Sequence, residues 1–210
     1  MVNIKIGGLH VLTDRELVKP RSLIEVIKQA ILGGASIIQL RDKDANDEEM
    51  ISLGRGILKL TAGKIPLIIN DRLNVALALN AQGIHVGQSD IPAAQVRKLI
   101  GSNMILGISA LTVDQAIKAQ EDGADYIGVG PIFPTSTKAD ADSPIGINGL
   151  RDIRSVVSIP IIAIGSINKN NARNVMKYAD GIAVISAVLG AKNPLEATRE
   201  LSVIINSGRR

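Results

Sequence analysis

Short apolar runs, four to six residues long, recur along the chain. They alternate with longer stretches in which apolar positions return every three or four residues. The runs Leu9–Leu12, Ala35–Leu40, Pro66–Ile69, Gly83–Val86, Met104–Ile108, Ala124–Val129, Pro160–Ile164 and Gly181–Ile185 read as strands. Between them the spacing predicts helices. One starts behind a Ser22 cap, carries Leu23, Val26, Ile27, Ala30 and Ile31 on one face, and stops at Gly33-Gly34. Another spans Asn46 to Ala62, with Asp47, Glu48 and Glu49 in the first turn, where the helix dipole favours them. Further helices are expected over Arg72–Leu79, near Pro92, over Val113–Glu121 behind a Thr112 cap, and from Pro194 onward.

This is a β-then-α unit of roughly 25 residues repeated eight times. Continuous Ile/Val-rich strands are what a parallel sheet covered on both faces requires. The α/β class therefore follows, and a single (β/α)8 TIM barrel spanning residues 1–210 is favoured over an open doubly wound sheet. Pro131 to Asn148, rich in Thr, Ser, Asp, Pro and Gly, is the one long irregular stretch. In a barrel it follows the sixth strand at the active-site mouth, and residues 131–149 read as a lid.

Composition narrows the picture. The chain has 210 residues and is 46% hydrophobic, with a core that must be aliphatic because Phe133, Tyr126 and Tyr178 are the only aromatics. Without exposed aromatics or a run of like charge, no nucleic-acid partner is expected. The net charge of +4, from 24 basic and 20 acidic residues, suits small anionic substrates. No cysteine is present, which excludes disulfides, thiolate metal sites and a Cys nucleophile. No apolar stretch reaches membrane-spanning length and the N-terminus lacks a signal pattern, so a soluble, unprocessed, cytoplasmic protein is expected.

Polar residues fall repeatedly at strand ends, where a barrel carries its chemistry. After the second strand come Gln39, Arg41 and Lys43, which alternation places on one side as an anion clamp. The third strand ends in Asn70 and Asp71, the fourth in Gln88 and Asp90, the fifth in Ser109, and the sixth runs into Gly130–Lys138. Taken singly, Asp71 and Asp90 read as helix caps. Taken together, two carboxylates beside several cations suit Mg2+ bridging to phosphate. Gly165-Ser166 and Ile185-Ser186, after the seventh and eighth strands, are either ordinary turns or a backbone phosphate site, with Asn168 as a cap behind the first. Two anion sites on one mouth suggest a diphosphate and a monophosphate as paired substrates. His10 and His85 are the only histidines, and no nucleophile–base arrangement is legible. That points to chemistry driven by stabilising a leaving group.

The motifs Gln39-Leu-Arg-Asp-Lys43, Ile69-Asn-Asp71, His85-Val-Gly-Gln-Ser-Asp90 and Ile127-Gly-Val-Gly-Pro-Ile-Phe-Pro-Thr-Ser-Thr-Lys138 together resemble the thiamine phosphate synthase family. The resemblance runs from about Leu9 to Gly190. It implies a (β/α)8 barrel that joins hydroxymethylpyrimidine diphosphate to thiazole phosphate, releasing pyrophosphate, with Mg2+ as cofactor. By the same resemblance Gln39, Leu40, Arg41, Asp42, Lys43, Asn70, His85, Ser109 and Lys138 would bind the pyrimidine diphosphate. Arg41, Lys43, Ser109 and Lys138 would act in catalysis, and Asp71 and Asp90 would hold the metal. Thr135, Ser136, Thr137, Gly165, Ser166, Ile185 and Ser186 would bind the thiazole phosphate.

Three positions depart from the family pattern: Ser166 replaces the second residue of a Gly-Gly pair, His10 stands where Tyr is frequent, and Leu111 where His is. If position 166 needs a positive φ, Ser is disfavoured there. The alternatives are a thiazole tautomerase-like paralogue on the same barrel and a non-catalytic thiazole phosphate-binding barrel. Barrels of this size occur as monomers and as a homodimer, and no surface stripe decides between them.

Overall fold

The structure, a computed structural model, describes residues 6–135 and 142–207. Among them eight parallel strands close into a barrel in sequence order, β1 next to β8. The strands are β1 (Gly8–Leu12), β2 (Ile37–Leu40), β3 (Leu67–Asn70), β4 (Gly83–Val86), β5 (Ile105–Ala110), β6 (Tyr126–Val129), β7 (Ile161–Ile164) and β8 (Gly181–Val184). The helices are α1 (Arg15–Val18), α2 (Leu23–Gly33), α3 (Asp47–Thr61), α4 (Leu73–Leu79), α5 (Ala93–Ile100), α6 (Val113–Glu121), α7 (Gly146–Arg154), α8 (Ala172–Val175), α9 (Ser186–Leu189) and α10 (Pro194–Ser207). No helix of the described residues is long and apolar enough to cross a membrane.

The Ile/Val runs are explained by two separate cores. Ile38, Leu40, Ile69, Ile84 and Ile127 point outward into the layer between strands and helices. Leu12, Ile37, Ile68, Ile105, Tyr126, Ile162 and Ala183 point inward and form a second core inside the barrel. Strand residues alternate between these cores, so each strand is apolar on both faces.

The cap expected at Thr112 forms, as a capping box with Gln115, and a second capping box forms at Asn46 with Glu49. The caps proposed for Asp71 and Asp90 do not: the N-cap positions of α4 and α5 are Arg72 and Pro92. Asn171, not Asn168, stands at the N-cap of α8. The expected irregular stretch is shorter than its composition suggests, because α7 begins at Gly146. The fifth strand runs on to Ala110, which puts Ser109 within the strand, opposite Gly128.

At the closed end, four polar side chains stand one residue before an even-numbered strand. Each accepts an N–H from the start of the preceding odd strand. Leu9 donates to Ser36 Oγ at 3.1 Å, Leu67 to Gln82 Oε1 at 2.9 Å, Leu106 to Asp125 Oδ2 at 2.7 Å, and Ile161 to Asp180 Oδ2 at 2.8 Å. Three of these are reciprocal, with Ser36, Asp125 and Asp180 donating their own N–H to the Leu9, Leu106 and Ile161 carbonyls at 2.8 Å. The other gaps close through main-chain carbonyls: Ile38 donates to Pro66, Ile105 to Gln82, Ile127 to Pro160 and Gly8 to Asp180.

Candidate active site

The opposite end opens into a cavity of about 590 Å³, within the range of small-molecule sites. Every strand contributes to it. His10 and Leu12 come from β1, while Gln39, Arg41 and Lys43 come from β2 and the residues after it. Asn70 and Asp71 follow β3, His85 and the Gly87–Asp90 turn follow β4, and Ser109 and Ala110 come from β5. Thr135 comes from the loop after β6. Gly165-Ser166 and Ile185-Ser186 close the ring.

Most residues singled out from the sequence therefore converge on one mouth, and two do not. Leu40 is fully buried in the outer core, because alternation turns it away from Gln39 and Arg41. Asp42 serves its own loop: Oδ1 accepts the N–H groups of Asp44 and Ala45, both at 3.1 Å, and Oδ2 meets Arg15 Nε at 2.8 Å. Ser136, Thr137 and Lys138 lie outside the described residues.

Asp71 and Asp90 follow adjacent strands, β3 and β4, in which Asn70 pairs with His85. Asp71 sits at φ 64°, where its N–H donates to the His85 carbonyl at 2.8 Å. An Asp tolerates this left-handed conformation better than most residues. Asp90 Oδ2 accepts the Gly87 N–H at 2.7 Å, which folds the turn so that the carboxylate lines the cavity. Among the described residues no three His, Cys, Asp or Glu side chains gather as a metal cluster. Two hard carboxylates without a full cage fit Mg2+, which takes one or two carboxylates and completes its shell with water and substrate phosphate.

The turn after β7 bears out the conformational expectation. Gly165 lies at φ 109° and Ser166 at φ 49°. A Cβ on Gly165 would stand 2.6 Å from Pro131 Cα, so the loops after β6 and β7 touch there. Ser166 holds its strained position with three bonds: its hydroxyl donates to the Pro134 carbonyl at 2.6 Å, and its own carbonyl accepts from Asn171 Nδ2 at 3.0 Å and from Asn168 Nδ2 at 3.4 Å.

Beneath the mouth lies a polar chain. His85 Nε2 is 3.0 Å from Ser109 Oγ, and Nδ1 is 3.0 Å from the Tyr126 hydroxyl. Glycines make room for the rings: a Cβ on Gly107 would fall 2.2 Å from Tyr126 Cζ, and one on Gly128 would fall 2.8 Å from His85 Cε1. Burial pushes the pKa of His85 down to about 4, with His10 adding to the fall and Asp90 opposing it. Burial likewise takes His10 to about 4, partly offset by the bond from Nε2 to the Ile6 carbonyl at 2.6 Å. Burial raises the Tyr126 pKa, so all three rings are neutral at neutral pH. Little in the local pattern marks Tyr126 as part of the site. The available signal was a Tyr two positions before Gly128, both on the inward face of an otherwise aliphatic strand.

These features define a (β/α)8-barrel enzyme with cations, two carboxylates and strand-end backbone turns around one opening. A family described as Thiamine monophosphate synthase matches residues 9–188. The thiamine-phosphate synthase of Clostridium tetani is 50% identical over 200 residues, covering 94% of this chain and 95% of that protein. That of Chloroflexus aurantiacus is 52% identical over 201 residues, covering 94% and 92%. The solved thiamine phosphate pyrophosphorylase of Pyrococcus furiosus superposes with a TM-score of 0.87 at 41% identity, covering 97% of each chain. The chain belongs to the thiamine monophosphate synthase family.

Proposed function

We propose that the chain is a transferase of thiamine biosynthesis. It joins the methylene carbon of hydroxymethylpyrimidine diphosphate to the ring nitrogen of thiazole phosphate, giving thiamine phosphate and pyrophosphate. The observation that carries this is the convergence of the Arg41/Lys43 strand end, the Asp71 and Asp90 carboxylates and the β7 and β8 turns on one cavity. A diphosphate and a monophosphate both find complementary groups there.

In this reading the C–O bond to the diphosphate breaks first, and the aminopyrimidine carries the resulting methylene cation until the thiazole nitrogen attacks. Arg41 and Lys43 neutralise the charge that develops on the departing diphosphate. Asp71 and Asp90 would hold Mg2+, which when bound screens the same charge. The N–H groups of the β7 and β8 turns orient the thiazole phosphate. No proton needs to be taken up from carbon, in keeping with histidines that are buried, hydrogen-bonded and poor bases. A tautomerase would need such a base. The reaction is placed in the cytoplasm.

Purified protein incubated with both substrates and Mg2+, with an EDTA control, tests this. Metal-dependent thiamine phosphate is the expected product. Folded protein that binds thiazole phosphate without turnover would instead indicate the binding-only barrel.

A further inference from the structure

We infer that Ser166 is a positioning residue: its hydroxyl ties the loop after β6 to the turn after β7 and so sets where Thr135 enters the cavity. The two segments run side by side beyond their strands. Ile132 donates its N–H to the Ile164 carbonyl at 2.8 Å, and Phe133 donates to the Gly165 carbonyl at 3.3 Å. The next residue is Pro134, which has no N–H and cannot supply a third rung of this kind. The rung is made from the other side instead. The Ser166 hydroxyl donates to the Pro134 carbonyl at 2.6 Å.

Packing alone would not hold the loop at that point. Pro131 and Ile132 are buried, Phe133 is half-buried and Pro134 is exposed. The apolar anchor therefore fades just before Thr135, which lines the cavity. The turn that holds the loop is itself fixed. The Ser166 carbonyl accepts from Asn171 Nδ2, at the N-cap of α8, and from Asn168 Nδ2. Gly165 lies so close to Pro131 and Ile132 that a Cβ there would clash with their main chain. A path of bonds thus runs from the start of α8 through Ser166 to Pro134, one residue before Thr135.

A carbonyl can only accept, so the single hydroxyl hydrogen of Ser166 is committed to Pro134. What Ser166 offers a ligand is its main-chain N–H. On the proposed function, on which this part rests, that N–H orients the thiazole phosphate and Thr135 meets the same substrate. The tether holds both contacts in one frame before the substrate arrives, and preorganisation of this kind is read in affinity.

The test uses Ser166→Gly in the full chain. Glycine keeps the N–H, accepts the positive φ and removes the hydroxyl. Phe133 is the only phenylalanine, so labelling with 15N-phenylalanine reports its amide alone. That amide is expected to exchange about five-fold faster in Ser166→Gly than in wild type, and equal exchange overturns the tether. The Kd for thiazole phosphate is expected to rise about five-fold, with kcat and the KM for the pyrimidine diphosphate unchanged. Thr135→Val should weaken the same binding, and adding Ser166→Gly to it should cost nothing more. Losses that simply add overturn Thr135 as the residue positioned. Protection of the Phe133 amide that depends on Ser166, in a protein that does not bind thiazole phosphate, upholds the tether and overturns its role on substrate together with the proposed function.

Discussion

The Thr13 hydroxyl holds the Arg41 peptide from both sides, accepting its N–H at 2.8 Å and donating to its carbonyl at 2.7 Å. Thr13 is fully buried at the end of β1, and Arg41 is the first residue past β2. One hydroxyl thus fixes where the clamp leaves the sheet. Thr13→Val, similar in shape, removes both bonds. It is expected to cost about 1–3 kcal/mol in stability and to lower kcat about ten-fold, since misplaced charge stabilises a leaving group poorly. Thr13→Ser retains both bonds and should behave as wild type in denaturant melts and steady-state kinetics.

Asp71 and Asp90 are expected to act through Mg2+. Asp71→Asn keeps a residue type that accepts positive φ, so the fold should survive. In calorimetric titrations the Mg2+-dependent binding of pyrophosphate should weaken at least ten-fold in Asp71→Asn and Asp90→Asn. Binding of pyrophosphate that is indifferent to Mg2+ in the wild type would remove both residues from the metal site.

His10 makes stability depend on pH. Its folded pKa, about 4, lies below the unfolded value of 6.5 because burial penalises the charged ring. Between those values the unfolded chain binds more protons, so stability rises with pH. The His10 contribution is complete above pH 6.5 and is lost as pH falls towards 4. The full loss is on the order of 3 kcal/mol. The groups facing the ring are Tyr126 and His85, and His85 shifts in the same sense. His10→Phe should flatten the fall in melting temperature between pH 6.5 and 4.

Ser166 balances strain against a bond. Left-handed backbone costs a non-glycine residue about 1–2 kcal/mol, and the bond to Pro134 returns a similar amount. Ser166→Gly should therefore stay within about 1 kcal/mol of wild type, whereas Ser166→Ala keeps the strain, loses the bond and should be about 1 kcal/mol less stable. Equal melting curves for the two variants would refute this balance.

Local pattern carried most of the architecture, because each strand and long helix announces itself within about ten residues. Asn46 and Thr112 show caps that depend only on neighbours three positions away. The failures are of longer reach or finer grain. α1, α8 and α9 have four residues each, too few for a helical period to appear. The start of α7 hides in Gly146-Ile-Asn-Gly149, which reads as loop by composition. Asp71 resembles a cap in sequence, yet its φ is set by pairing across to β4. Within the site, strand alternation sufficed for Gln39, Arg41 and Lys43, and would have excluded Leu40. Nothing local links Tyr126 to His85, 41 residues away.

The side-chain bonds at the closed end fall on alternate gaps, joining β1 to β2, β3 to β4, β5 to β6, and β7 to β8. The barrel is thus four clasped couples rather than eight equal staves. A chain severed between residues 102 and 103 parts whole couples, while one severed between 122 and 123 separates Leu106 from Asp125. Co-expressed halves from the first cut should copurify and regain more activity than those from the second.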